Sequence, residues 1–329
     1  MSNNKSKREQ FRVQDFKLLP EVYQIEMTNR CNLKCPMCLR TTDMVREDDV
    51  LDTKLLELMH ERGDFGGSYY VELQMAGEPT LHPKLGEVID YLKSTVGVMV
   101  GLSTHGLLIG KKPTVLPALM SLNDLTISVD SVDPDVYAKM RYPAKLPQLL
   151  GALETLFGEV VRRKAAGEPV PFIELQLVTT PLVEGSGDVG ALQALMEDRG
   201  WDQHAAVRVT NDCFVEMQGR GKVEKRSADI CLNPFSSVSI AHNGDVVSCC
   251  YIFDPKRDQV NYYGNLYDNS LAEIWASERV QAMRRSHIEG KQKDACATCY
   301  LYSPMTIHQN IVARSVQSQN TGRVHLPVF

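Results

Sequence analysis

The sequence predicts an α/β protein built on a parallel sheet, followed by a small C-terminal unit of different character. Six short β-forming runs alternate with helix-length stretches through the first two thirds of the 329 residues. That alternation implies parallel strands joined by right-handed helical crossovers. After about Gly221 the alternation stops and a hairpin signal takes over. The length suffices for one large domain with an appendage, or for two modest domains, with a substantial core.

Residues 1 to about 19 are polar and are expected to fray. Val22-Tyr-Gln-Ile-Glu-Met27 alternates and contains β formers, which predicts the first strand. Apolar runs bounded by turn signals at 69–75, 98–103, 124–129, 172–178 and 206–209 predict five more. Between them, 53–62, 84–94, 146–164 and 189–199 have helix length. Pattern alone leaves open whether six such strands stay flat or curl into a partial barrel. Beyond the linker-like stretch 221–227, Val238-Ser-Ile-Ala241 and Asp245-Val-Val-Ser248 flank His242-Asn243-Gly244. An Asn-Gly pair between strand-like runs predicts a hairpin, because both residues tolerate positive φ. Residues 271–285 are expected to form one helix, with Leu271, Ile274, Trp275 and Val280 facing inward.

Composition narrows the function classes. A hydrophobic fraction of 43%, a charged fraction of 23% and a formal charge of -5 describe an ordinary globular protein and argue against a general nucleic-acid binder. No signal-peptide-like or membrane-spanning apolar stretch is present. A cytoplasmic location is expected, and in a reducing compartment clustered cysteines serve metals or redox chemistry more often than disulfides.

Seven of the nine cysteines form two groups. Cys31, Cys35 and Cys38 follow the first strand, at the strand end where parallel sheets place their sites. Three thiolates on a four-iron cubane leave one iron open, and the spacing does not match the paired knuckles of structural zinc sites. Cys231, Cys249, Cys296 and Cys299 supply four thiolates, enough to close a cluster fully or to hold a structural zinc. Cys249 and Cys250 point to opposite faces of their strand, so they compete for one ligand position.

The segment Glu26-Met-Thr-Asn-Arg-Cys31-Asn-Leu-Lys-Cys35-Pro-Met-Cys38 resembles the signature of radical S-adenosylmethionine enzymes. Met75-Ala76-Gly77-Glu78-Pro79, Ser103-Thr-His105-Gly106 and Ile127-Ser128-Val129-Asp130 resemble three further family segments, each at a predicted strand end. Ala76 and His105 depart from the family's glycine and asparagine, and Met37 stands where an aromatic residue near adenine is usual. The resemblance implies a partial (β/α)6 barrel in which Met37, Ala76, Gly77, Glu78, Ser103, Ser128 and Asp130 contact S-adenosylmethionine. Its open iron would chelate the cofactor, and one electron would release a 5'-deoxyadenosyl radical that abstracts hydrogen from the substrate.

The C-terminal part, with Gly244 between Cys231 and Cys249 and with Cys296-Ala-Thr-Cys299, is similar to the SPASM domain in its shortened twitch form. That form implies one auxiliary 4Fe-4S cluster on Cys231, Cys249, Cys296 and Cys299, and the whole is similar in architecture to the 2-deoxy-scyllo-inosamine dehydrogenases. The expected organisation is a flexible segment 1–20, a core 21–220, an auxiliary-cluster unit 228–304 and a tail 305–329. Cys213 belongs to neither group: it reads as a small buried hydrophobe or as a hydrogen-atom donor to a substrate radical.

The function expected is oxidation of a small polar molecule of aminocyclitol, aminosugar or nucleoside type, with the auxiliary cluster accepting an electron and flavodoxin or ferredoxin supplying the first. The alternative is epimerisation, cyclisation or thioether formation on a ribosomally made precursor peptide. About twenty residues before the first strand are too few for a packed leader-recognition module, which favours the small molecule.

Overall fold

The computed structural model describes residues 19–211, 231, 233–250, 261–293 and 295–298. Strand β1 (Val22–Ile25) lies between β2 (Tyr70–Glu72) and β7 (Ser237–Ile240) and runs parallel to both. From β2 the sheet continues through β3 (Met99–Thr104), β4 (Asp124–Ser128), β5 (Phe172–Thr179) and β6 (Ala206–Asn211), every pair parallel. Beyond β7, strands β8 (Asp245–Val247) and β9 (Tyr262–Asn265) add antiparallel, giving the order β6-β5-β4-β3-β2-β1-β7-β8-β9. The six strands expected from the sequence form the partial parallel barrel, and the hairpin extends its β1 edge.

Helices α2 (Lys54–Glu61), α3 (Leu85–Tyr91), α4 (Val115–Met120), α5 (Pro134–Met140), α6 (Leu146–Ala165) and α7 (Val189–Arg199) lie among the strands in sequence, after a short α1 (Leu39–Thr42). Successive strand side chains point to opposite faces. On one face Tyr23, Ile25, Val71, Val100, Leu102, Leu125, Ile127, Ile173 and Leu175 join Leu55, Ile89, Leu119, Leu149 and Leu192 of the helices in one core. Sheets buried on both faces read as continuous apolar runs, and these strands do not. Their other face carries Gln24, Glu72, Ser103, Thr126, Ser128, Glu174, Gln176, Arg208 and Thr210, residues that lie in matching register from strand to strand. Its lower end is closed by an apolar patch of Val22 and Tyr70 packed with Met99.

The C-terminal unit shares the same core through Val238, Ile240, Val246, Tyr263, Leu271 and Trp275. Asp64, in the loop after α2, accepts the Leu271 N–H at 2.9 Å, and Arg62 donates to the Leu266 carbonyl at 2.6 Å. The single helix expected over 271–285 is instead two, Leu271–Ala276 and Glu278–Ile288. Ser277 separates them with an extended backbone (φ -61, ψ 151) and caps the second by accepting the Val280 N–H. The inward set Leu271, Ile274, Trp275 and Val280 is buried nonetheless. Among the described residues, no helix is long and apolar enough to cross a membrane.

Candidate active site

The loop leaving β1 wraps back on itself. Cys31 Sγ accepts the Leu33 N–H at 3.4 Å, and the Cys38 N–H donates to the Cys35 carbonyl at 3.1 Å. The three thiols lie within electrostatic reach of one another; burial pushes Cys31 up to about 12 and also raises Cys35 and Cys38. A metal held by these thiols would therefore have to displace protons from the loop. Met37 is buried in the same core as Leu33 and Cys35.

Two turns press against this loop from the strand ends. Gly77, with φ +77, brings its backbone so close to residues 28–30 that a Cβ would sit 2.2 Å from the Thr28 carbonyl oxygen. Ala76 is buried beside Leu39, Met44 and Met75. Glu78 is buried and accepts the Thr80 hydroxyl at 2.6 Å, the Thr104 hydroxyl at 2.5 Å, the Thr80 N–H at 3.1 Å and the His105 N–H at 3.0 Å. Every one of these donors belongs to the protein, so Glu78 clamps the β3 end to its own turn. His105 continues the clamp. Its Nδ1 accepts the Leu107 N–H at 3.0 Å, which puts the proton on Nε2, and Nε2 donates to Asn32 at 2.8 Å inside the cysteine loop. Burial lowers the pKa of His105, which keeps the imidazole neutral.

Asp130 has φ 63 and ends β4 as a buried anchor. Its Oδ1 accepts the Val178 N–H at 3.0 Å, and its Oδ2 lies 2.5 Å from Arg141 Nε. Arg141 in turn reaches Cys35 Sγ at 3.8 Å. Burial works against the guanidinium charge, but Asp130 more than compensates, so Arg141 stays protonated. Sequence reasoning missed Arg141, because an arginine at the end of a short helix carries no periodic signal. Ser128 is half-buried at the end of β4, opposite Gln176 of β5. Ser103 donates to Glu72 at 3.1 Å, and Tyr70 donates to the other Glu72 oxygen at 2.6 Å. The Tyr70 hydroxyl lies over Gly101, where a Cβ would meet it at 1.7 Å. Arg208 stands 3.7 Å from buried Glu174 on the same face.

A second missed cluster joins the two halves of the site. Glu26 is fully buried and accepts two hydrogen bonds from Arg46 (2.6 and 2.7 Å), two from His242 (ring 2.7 Å, backbone 3.0 Å) and one from the Ala76 N–H (3.3 Å). Burial pushes its carboxyl up, but the Arg46 and His242 hydrogen bonds outweigh it and hold Glu26 at about 2.

In the C-terminal unit, Cys231, Cys249 and Cys296 share Tyr263 of β9 as a neighbour. Asn233 donates to Cys249 Sγ at 3.5 Å, Cys296 Sγ contacts Asn261 Oδ1 at 3.4 Å, and the Tyr263 hydroxyl feels Cys296, Cys231 and Cys249 electrostatically. Cys213 and Cys299 lie outside the described residues. Among those residues, no group of three or more His, Cys, Asp or Glu has a single-ion geometry. The donor chemistry fits iron–sulfur clusters: soft thiols in both sets, with the Arg141 guanidinium beside the first and the buried Tyr263 hydroxyl near the second.

Residues 25–162 match the Radical SAM superfamily, and residues 231–300 match SPASM, an iron-sulfur cluster-binding domain. The chain is 25% identical over 297 residues to the tungsten-containing aldehyde ferredoxin oxidoreductase cofactor-modifying protein of Pyrococcus furiosus, covering 78% of this chain and 80% of that one. It is 29% identical over 143 residues to the GTP 3',8-cyclase of Chlorobaculum tepidum, spanning only 40% of either protein. By fold it is similar to BtrN in complex with AdoMet and 2-DOIA (TM-score 0.53, 15% identity, 88% of this chain and 97% of that one). It is likewise similar to Streptococcus suis SuiB bound to the precursor peptide SuiA (TM-score 0.62, 15% identity, 88% and 72%). With the cysteine loop at the end of β1 and the antiparallel strands on its edge, the chain is a radical S-adenosylmethionine enzyme carrying a SPASM domain.

Proposed function

We propose that the protein oxidises a small polar molecule by hydrogen abstraction. The observation that carries this is the sheet face turned away from the helices. In place of an apolar filling it offers hydroxyl, amide and carboxylate groups from five adjacent strands, with Arg208 beside Glu174. Such a face suits a substrate rich in hydroxyl or amino groups, as in an aminocyclitol, aminosugar or nucleoside.

Cys31, Cys35 and Cys38 would hold the catalytic cluster, and Cys231, Cys249, Cys296 and Cys299 a single auxiliary cluster. When bound, the catalytic cluster and S-adenosylmethionine supply the radical that takes hydrogen from the substrate, while the auxiliary cluster supplies one-electron transfer. The chain's own residues position and exclude. Glu78 and His105 fix the turns around the cysteine loop. Arg141, tied at Nε to Asp130, keeps a terminal edge that suits the cofactor's carboxylate. The backbone of Ala76 and Gly77 can approach the cofactor's amino group, with Met37, Ser103 and Ser128 as further contacts. Reduction would need an external donor of flavodoxin or ferredoxin type.

The test is anaerobic reconstitution followed by 5'-deoxyadenosine release in the presence of size-fractionated cell extract. Stimulation by the small-molecule fraction, lost in Cys31→Ala/Cys35→Ala/Cys38→Ala, is expected. Stimulation by the peptide fraction alone would sink this reading in favour of peptide modification, which the likeness in fold to SuiB supports and for which Cys213 would be the hydrogen-atom donor.

A further inference from the structure

Among the described residues of the C-terminal unit, three donor atoms on neighbouring side chains are buried and unpaired. Tyr263, Trp275 and Arg284 are 5%, 1% and 3% exposed. Among the described residues, the Tyr263 hydroxyl, the Trp275 indole N–H and Arg284 Nη2 have no hydrogen-bond partner. Leaving such a group unpaired in the interior is costly, which is why buried polar atoms are seldom left alone. The three form one stack, with the Tyr263 and Trp275 rings edge to face at 6.4 Å and the Arg284 guanidinium 4.4 Å above the indole. Tryptophan and arginine donate and cannot accept, and the Tyr263 oxygen, the one possible acceptor in the stack, takes a hydrogen bond from neither.

The stack is also short of negative charge. Arg284 donates to the Pro234 and Trp275 carbonyls and lies over the indole face, and among the described residues no carboxylate is paired with it. A lone buried cation is costly unless an anion faces it. The surroundings show which anion is at hand. Arg284 holds Pro234, whose neighbour Asn233 donates to Cys249; Asn261, just before the Tyr263 strand, contacts Cys296. The Tyr263 hydroxyl lies within electrostatic reach of Cys296, Cys231 and Cys249 and of Arg284, which brings these two donors to the side of the auxiliary cysteines.

We propose that Tyr263 and Arg284 donate hydrogen bonds to the sulfurs of the auxiliary cluster and raise its reduction potential. A cluster held by four thiolates is anionic and gains one further negative charge on taking up one electron. Hydrogen bonds to sulfur and a buried cation stabilise that reduced form more than the oxidised one. Both residues are positioning groups for electron acceptance, and the proposal rests on the reading that this unit holds an iron–sulfur cluster.

The test uses the full chain, reconstituted anaerobically, with potentials read by EPR-monitored dithionite titration. The auxiliary signal is the one that does not respond to added S-adenosylmethionine. Tyr263→Phe removes one oxygen atom, and Arg284→Gln removes the charge. Each is expected to keep wild-type iron content while shifting the reduction equilibrium about tenfold toward the oxidised form, or about 59 mV for a one-electron couple. Should Arg284→Gln fail to fold, Tyr263→Phe still decides. Unchanged potentials at full iron content would overturn the proposal and leave the cluster reading standing. Iron content unaffected by Cys249→Ala and Cys296→Ala would remove the cluster reading itself.

Discussion

Gly77 and Gly97 both have positive φ, +77 and +82, yet they stand in opposite surroundings. Around Gly97 a Cβ would meet nothing within 4 Å, whereas at Gly77 it would meet three backbone atoms of residues 28–30 at 2.2 to 2.8 Å. Left-handed backbone strain costs an alanine about 1–3 kcal/mol at either position, and only Gly77→Ala must also push the cysteine loop away. Gly97→Ala should therefore lower stability modestly and leave iron loading intact, while Gly77→Ala should lose iron at the first site as well. Denaturant titration and iron counting on the two variants separate the terms, and equal iron retention would show that the loop yields freely. The same contrast explains which residues could be read in advance. Cys31, Cys35 and Cys38 announce themselves by local spacing, and Gly77 sits in a short motif. Arg141 and Glu26 act through partners far away in the chain, Cys35 and His242, which no local pattern connects.

At the scale of elements, the core strands were legible because their apolar residues alternate and helix-length runs separate them. Strand β9 was not, since Tyr262-Tyr-Gly-Asn265 is four residues long and half of it is glycine and asparagine, both poor β formers. Helices α4 and α5, of six and seven residues, are too short to show a full amphipathic period. The break at Ser277 was hidden by buried residues on both sides that fit one helix as well as two. The helix Leu271–Ala276 begins with a capping box between Ser270 and Glu273, and the core adds Asp64 as a further acceptor for its first N–H. Asp64→Ala should cost about 1–2 kcal/mol, the usual weight of a helix-cap interaction. Amide exchange should quicken across Leu271–Ala276 and stay unchanged in α6. Uniform protection across both helices would mean that Ser270 alone suffices.

The two cluster-binding halves form one molecule because β7 pairs with β1 and because Glu26 gathers Arg46, His242 and the Ala76 turn around a single buried carboxylate. This joint carries a pH signature. In the folded chain Glu26 titrates at about 2, below its unfolded value of about 4.3. A lowered folded pKa contributes stability that is present above the unfolded pKa and is lost as pH falls through the folded one. The window is thus about pH 4.3 down to 2, where protonation leaves Arg46 facing a neutral acid inside the joint. Urea denaturation of the metal-free chain across this range should show stability falling. Glu26→Gln should start lower at neutral pH and fall less, so that the two profiles converge as Glu26 becomes neutral in both states. A gap between them that stays constant from pH 7 to 2 would mean that shape, and not charge, holds the joint. Convergence would identify Glu26 as the ionic contact through which the SPASM unit is fixed against the radical-generating core.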